Sequence, residues 1–426
     1  MANDNAVHVE VDVIEDAVKN ILECVEKRQE QPPTNKTLPS IFTVPSIMRD
    51  ANPRFFKPQM VSIGPLHHRE DEKVQEYERR KATYLHDYLR RINSPLEETL
   101  KACVRKVNAS MDQIRACYAE IKRYSDVELE AMMVMDACFI LECHYKVSEQ
   151  DEETLSLIPH LVRDLVMLEN QIPFFVLRDM FKCTYLKLKP RASLTCIVLD
   201  LIKIIYPFDY SDLHIDDDKN YSHVLDLLHK LFRPKYASPP TKNAPQSLLL
   251  FSAAKLSNAG LKFKPNQDAD FRMDMKFESS WSNTTLTMPK LRINIDTEIV
   301  FHNLIAYEQC LRNVDSYISS YVTAMNILVD RKEDLQVLVQ SKVIIDNGYD
   351  DQYAFDLLRR LWEDATIIQD FTYISAWVKM DEYCNHGFGW IRQTYFSGKW
   401  SYIASVSGLI IFILTSIQTF CAIRGL

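Results

Sequence analysis

The chain has 426 residues, 47% of them apolar and 11% aromatic, and its 50 Lys+Arg against 58 Asp+Glu leave a formal net charge of −8. That composition excludes a mainly disordered chain, and only 8 glycines argue against glycine-cradled phosphate sites, propellers and collagenous architectures. With no Lys/Arg-dense stripe to release counterions, nucleic acid is excluded as a partner, and a mainly helical fold is the expectation.

Met1 to Asp16 holds five acidic residues and no Lys or Arg, unlike a secretory signal. Val11, Ile14, Val18, Ile21 and Val25 repeat at three and four residues and predict an amphipathic helix over Val9 to Glu30. Its stripe packs on the chain's own core or on a partner, a second copy included. Pro32, Pro33 and Pro39 make a linker, so residues 1–40 read as a helix plus linker and residues 41–395 as one large helical domain. Pro45, Pro53, Pro58 and Pro65 make the stretch from Val44 irregular and packed. From Glu70 to Leu89, Val74, Tyr77, Lys81, Tyr84, Leu85 and Tyr88 recur at helical spacing, with Arg79, Arg80 and Lys81 assigned to a solvated face. Helices follow over Leu96 to Arg123 and Val127 to Tyr145. The apolar stretch Leu155 to Phe181, with Pro159 near a helix start and a break before Pro173, is expected to supply the central helix pair.

Tyr206 to Pro245 reads as a variable surface excursion. It carries Asp216, Asp217 and Asp218, aromatics taken as exposed (Tyr206, Phe208, Tyr210, Tyr221, Tyr236), four prolines and a short helix near Tyr221 to Phe232. Alternation around Leu261 and Phe263, Phe271 to Phe277, and Leu291 to Ile295 predicts a small antiparallel β-sheet within 261–295. Asp296 then caps a helix through Cys310, and Asn347-Gly348 marks a later turn. The fold class is therefore mainly α with a small sheet, α+β.

Ile403 to Ile423 is 21 residues without a charge, flanked by Lys399, Trp400, Tyr402 and Arg424. As a helix it measures about 31 Å, which predicts a transmembrane helix in contact with a lipid bilayer. The alternative is a buried core helix. The membrane reading puts a single pass near the C-terminus and the bulk in the cytosol, with the plasma membrane as the expected membrane. Four sequons, at Asn35, Asn108, Asn220 and Asn283, would matter only to a luminal domain, and ten cysteines without a CxxC pair read as reduced thiols.

His67 and His68 stand on a loop beside Glu70, Asp71 and Glu72, which permits a metal or an acid–base pair, or simple ring packing with a hydrogen bond to backbone. Cys138, Cys143 and His144 make a poor zinc set, since in a helix the two cysteines point about 140° apart. Glu169, Asn170 and Gln171 interrupt an intensely apolar run, as Glu308 and Gln309 do in NLIAYEQC. They are either a functional acid pair or partners for backbone groups that the proline-rich segment leaves unpaired. No catalytic, cofactor-binding or metal-binding residue is assigned, and no cofactor is expected.

The blocks VPSIMRDANPRFFKPQMVSIGPLHHR (Val44 to Arg69), MDACFILE (Met135 to Glu142), DLVMLENQIPFFVL (Asp164 to Leu177), SAAKLSNAGLKFK (Ser252 to Lys264) and NLIAYEQC (Asn303 to Cys310) resemble the plant family of domain of unknown function 247. The resemblance runs in order over nearly the whole chain. It implies a largely helical plant protein with a C-terminal membrane helix, and some grass relatives resemble pollen-side determinants of self-incompatibility. Ala137 and Arg69 stand where the family commonly has glycine, which suggests packing and turn variation.

Three functions are weighed. The first is a membrane-anchored, non-enzymatic protein that recognises another protein or signals through it, with Asp216 to Asp218 steering a basic partner. The second is a hydrolase or transferase using His67, His68 and buried carboxylates. The third is a membrane-perturbing oligomer assembled through Val9 to Glu30 and the terminal span. The first is the expectation.

Overall fold

The computed structural model describes residues 39–68, 72–121, 124–208, 220–235, 251–266, 273–280, 283–311, 313–365, 371–386 and 399–424. Residues 1–39 and 40–426 form two units, and the helix expected over Val9 to Glu30 lies outside the described residues. Every described helix and strand belongs to the second unit.

The core of that unit is organised by two helices that are apolar on nearly every face. These are α5 (Asp126–Ser148), with buried residues from Leu129 to Cys143, and α12 (Ile295–Cys310), buried from Thr297 to Glu308. A helix apolar all round has no face to give to water and goes to the middle of the fold. The stretch expected to supply the central pair instead lies against them as α6 (Glu152–Leu165) and α7 (Phe174–Cys183), with Pro159 inside α6. Around α5 pack α2 (Glu72–Arg91), α3 (Leu96–Asn108) and α7. The helix expected over Leu96 to Arg123 breaks at Ala109-Ser110, and α4 (Met111–Ala116) follows.

A short α1 (Ser46–Ala51), with α8 (Tyr185–Leu188), α9 (Leu194–Ile202), α10 (Val224–Leu231) and α11 (Ala253–Asn258), fills the first half. Beyond the sheet, α13 (Tyr317–Leu328), α14 (Lys332–Gln340), α15 (Asp351–Asp364) and α16 (Ile374–His386) follow α12, and α13 and α15 pack on α12. Asn294, not Asp296, caps α12, its side chain accepting from Thr297 N–H at 2.8 Å.

The sheet corrects the expectation of an antiparallel one. Its strands are β1 (Leu261–Pro265), β2 (Lys276–Ser279) and β3 (Thr284–Met288) in the order β1-β3-β2, with β3 parallel to β1 and antiparallel to β2. β4 (Leu291–Arg292) leaves this sheet and pairs in parallel with β5 (Ile344–Ile345). The central strand β3 is buried at four of its five positions and so lacks the alternation that marks a half-buried strand.

The transmembrane expectation is also overturned. Lys399–Arg424 forms α17, yet among the described residues no helix is long and apolar enough to cross a membrane. The apolar run is interrupted by Ser407, Thr415, Ser416, Gln418 and Thr419. The hydroxyls of Thr415, Ser416 and Thr419 fold back on the carbonyls of Ile411, Phe412 and Thr415. The single-pass localisation falls with it.

Candidate functional site

Among the described residues, one group of the polar side chains that the core buries converges on the irregular segment from Ile41 to His68. Its four prolines confine local hydrogen bonding to short turns between Pro45 and Lys57, so the other buried N–H groups need outside acceptors. Asp164, at the end of α6, takes three of them: Gln59 N–H to Oδ1 at 3.0 Å, and Met60 and Val61 N–H to Oδ2 at 2.7 and 2.9 Å. Asn170 accepts from Ile63 N–H at 2.7 Å and donates to the carbonyls of Val61 and Asp164. Asn303 of α12 donates to Phe55 O at 2.7 Å and accepts from Leu168 N–H at 2.9 Å, tying the segment and the α6–α7 connection to the central helix.

Glu169 belongs to the same block. Its Oε1 accepts from Val44 N–H at 2.6 Å, its Oε2 lies 2.8 Å from His67 Nε2, and Arg49 stands 3.8 Å away. His67 thus meets a carboxylate, while His68 turns elsewhere, its Nδ1 3.9 Å from Glu78 and its ring edge-on to Tyr124. The two imidazoles do not converge on one point. Glu308 sits apart, at the start of α13, where its oxygens accept from Ile318 and Ser319 N–H at 2.8 and 2.9 Å and His229 Nε2 lies 3.0 Å away. A carboxylate there occupies the positive end of a helix and satisfies amides without intrahelical partners. Gln309 donates to Asp364 O at the end of α15. The structure therefore brings Glu169, Asn170 and His67 together and leaves Glu308 and Gln309 apart from them, each with partners of its own. Asp216, Asp217 and Asp218 lie outside the described residues.

A fully buried charge lies on the face opposite to the expected one. Lys81 is 0% exposed. Its ammonium donates to Ser62 O, to Glu78 Oε1 at 2.6 Å and to Asp136 Oδ1 at 2.6 Å, while Asp136 Oδ2 accepts from Gly64 N–H at 2.7 Å. Burial works against the Lys81 charge, but the Asp136 and Glu78 carboxylates outweigh it and its pKa is raised. The signal is in the pattern: Lys81 stands four residues after Tyr77 and three before Tyr84, both buried. Beside this pair opens a cleft of about 540 Å³ lined in part by His68, Glu78, Arg79, Tyr124, Glu128 and Met132. Cys138 and Cys143 are buried, His144 Nδ1 lies 2.9 Å from Tyr185 OH, and among the described residues no group of His, Cys, Asp and Glu is arranged to hold a metal.

One buried carboxyl makes stability depend on pH. Burial pushes Glu142 up to about 7 from its usual 4.5, against Arg91, whose Nη1 donates to both oxygens at 2.6 Å. A folded pKa above the unfolded one gives stability that is full below about 4.5 and is lost as pH rises through about 7. Asp164, pushed up to about 6 by burial, acts in the same direction. The melting temperature should fall between roughly pH 5 and pH 8, and less steeply in Glu142→Gln. A melting temperature that climbs over this range, or an unchanged slope in the variant, contradicts the assignment.

Taken with the fold, the site defines a class: a helical α+β protein in which buried carboxylates and amides brace an irregular segment against two central helices. Residues 41–414 match the family DUF247, described as plant protein of unknown function, and the chain belongs to that family. It is similar to the UPF0481 protein At3g47200 of Arabidopsis thaliana, 28% identical over 420 residues that cover 90% of this chain and 86% of that one. A second UPF0481 protein of the same plant, At3g02645, is 22% identical over 506 residues, covering 95% and 94%. No solved structure matches.

Proposed function

We propose that this plant protein is non-enzymatic and recognises another protein through the excursion between Tyr206 and Pro245. The observation that carries the reading is how the excursion is rooted. Tyr206 and Phe208 at its entry and Tyr221 before α10 are buried, not exposed as expected, and Phe232 at the end of α10 is buried too, while Tyr210 and Tyr236 lie outside the described residues. The rings interlock: Phe232 lies 5.0 Å from Tyr206 and 5.3 Å from Phe208, and Phe208 lies 6.0 and 5.8 Å from Phe301 of α12 and Tyr321 of α13. Edge-to-face and tilted aromatic contacts of this kind add to area burial and fix geometry. A chain anchored by such a platform can vary between its anchors without disturbing the core, and binding residues concentrate on segments of that kind.

The polar block supports the non-enzymatic half of the reading. Asp164 and Asn170 spend their side-chain oxygens on main-chain N–H groups, and Glu169 and Glu308 each accept from main-chain N–H besides facing a histidine, which is in the main the work of bracing. Signalling or self-recognition, the role implied by the resemblance to the grass determinants, is a setting that such a protein suits.

Three consecutive aspartates steer a basic partner electrostatically, and steering is screened by salt. In capture from plant extract with the tagged full-length chain, replacing Asp216, Asp217 and Asp218 by Asn should cut recovery of the partner by about tenfold at low salt. The difference should narrow as salt rises. Equal recovery at every salt concentration excludes the acidic run as the recognition surface.

A further inference from the structure

The turn at Asn347-Gly348 joins β5 to α15 and serves neither the polar block nor the excursion. Both residues are exposed, with positive φ of +48° and +86°. Tyr349 N–H closes the turn on Asp346 O at 2.9 Å, and Gly348 N–H donates to Asp346 Oδ1 at 3.3 Å. A Cβ at Gly348 would meet nothing within 4 Å, so no other segment crowds it. This is the one Asn-Gly pair in the sequence; other exposed asparagines, such as Asn93, Asn283 and Asn385, precede Ser, Thr and His.

We propose that Asn347-Gly348 is a self-modifying site, at which Asn347 rearranges to isoaspartate and aspartate while the Asp346 carboxylate takes the proton of the attacking nitrogen. Two features assign it. The main-chain nitrogen that attacks a side-chain amide must come close to it, and only a residue without a Cβ leaves that approach unhindered. That nitrogen must also lose its proton, and the hydrogen bond from Gly348 N–H already points the proton at Asp346 Oδ1.

The Gly348 nitrogen attacks the side-chain carbonyl carbon of Asn347 and its proton passes to Asp346. The bond to the side-chain nitrogen breaks, and that nitrogen leaves as ammonia with the proton that Asp346 returns. Water then opens the cyclic imide. Opening at the main-chain carbonyl gives isoaspartate, with the chain rerouted through the side chain, and opening at the other carbonyl gives aspartate. One asparagine and one water thus give one acidic residue and one ammonia. Isoaspartate inserts a methylene into the main chain between β5 and α15, and both products add a carboxylate beside Asp346, Asp350 and Asp351. The bond from Tyr349 N–H to Asp346 O then loses its register, and with it the stack of Tyr349 on Tyr353, whose ring centroids are 4.7 Å apart.

Asn93 and Asn283 supply the internal control, because both are exposed and access alone would let them react as fast. The purified full-length chain is held at neutral pH and physiological temperature, sampled over time and mapped as peptides. Methyl transfer from a labelled donor by an isoaspartyl-specific carboxyl methyltransferase gives a second readout. Isoaspartate and aspartate at position 347 should accumulate about tenfold faster than any change at Asn93 or Asn283. Asn347→Gln should abolish methyl labelling of that peptide and the fall in melting temperature on ageing. Asp346→Ala should slow the reaction at neutral pH and leave the hydroxide-driven rate in mild alkali unchanged, a split that a merely structural role for Asp346 would not produce. Equal rates at Asn347 and Asn283 overturn the proposal, as does an Asp346→Ala chain that reacts at neutral pH as fast as the unaltered one.

Discussion

Replacing Asp136 by alanine should destabilise the fold by about 3 to 5 kcal/mol, the usual cost of removing one partner from a buried ion pair. The substitution strands the Lys81 ammonium, which has no solvent to turn to, with Ser62 O and the partly exposed Glu78 as its remaining acceptors. It also orphans Gly64 N–H, whose acceptor is Asp136 Oδ2. Lys81→Met is expected to cost less, because Asp136 keeps its bond from Gly64 and a methionine fills most of the volume. The double variant should then be more stable than the sum of the single losses predicts, by about 1 to 3 kcal/mol, because it leaves no unpaired ammonium. Denaturant unfolding of the four chains measures the coupling. Additive losses, or an Asp136→Ala cost below about 1 kcal/mol, would mean that the pair is wetter and weaker than its geometry indicates.

That pair also marks how far the sequence is legible. Helices with a clear period can be read, as Glu72–Arg91 is from Tyr77, Tyr84 and Tyr88 within Glu70 to Leu89, because spacing reports the buried face directly. Lys81 misleads because its charge argues for a solvated face while its position argues for burial: it keeps the period of Tyr77 and Tyr84, and a cation on a buried stripe is itself a sign of a buried acid nearby. The acid, Asp136, lies 55 residues away, and no local pattern joins the two. The strand Thr284–Met288 escapes for a different reason, since a strand covered on both faces does not alternate.

In the polar block the residues are visible in the sequence and their partners are not. Glu169, Asn170 and Glu308 stand out as polar interruptions of apolar runs. That Glu169 meets Val44 and Asn170 meets Ile63, across more than a hundred residues, is a property of the packed chain. The buried rings of Tyr206, Phe208 and Tyr221 teach a related lesson: aromatic residues inside an acidic, proline-rich stretch can be its anchors to the core and need not be its exposed surface.

Gly64→Ala should cost about 3 kcal/mol or more, because two penalties fall on one methyl group. Gly64 has φ +78°, a conformation that residues with a Cβ rarely adopt, and a Cβ placed there would lie 2.4 Å from Gln171 O and 3.2 Å from the Tyr118 hydroxyl. Gln171 O cannot simply withdraw. It accepts from Tyr118 OH at 3.0 Å, while the Gln171 side chain donates to the carbonyls of Leu165 and Met167 and accepts from Leu225 N–H. Moving Gly64 instead would stretch its bond to Asp136 and, with it, the hold on Lys81. Gly348 separates the two penalties, because its φ is +86° and a Cβ there would meet nothing within 4 Å. Gly348→Ala should therefore lose only the conformational part, about 1 to 2 kcal/mol. If the two variants melt at the same temperature, the close approach of Gly64 to Gln171 does not constrain the fold, and the 41–68 segment must be held chiefly by Asp164 and Asn170.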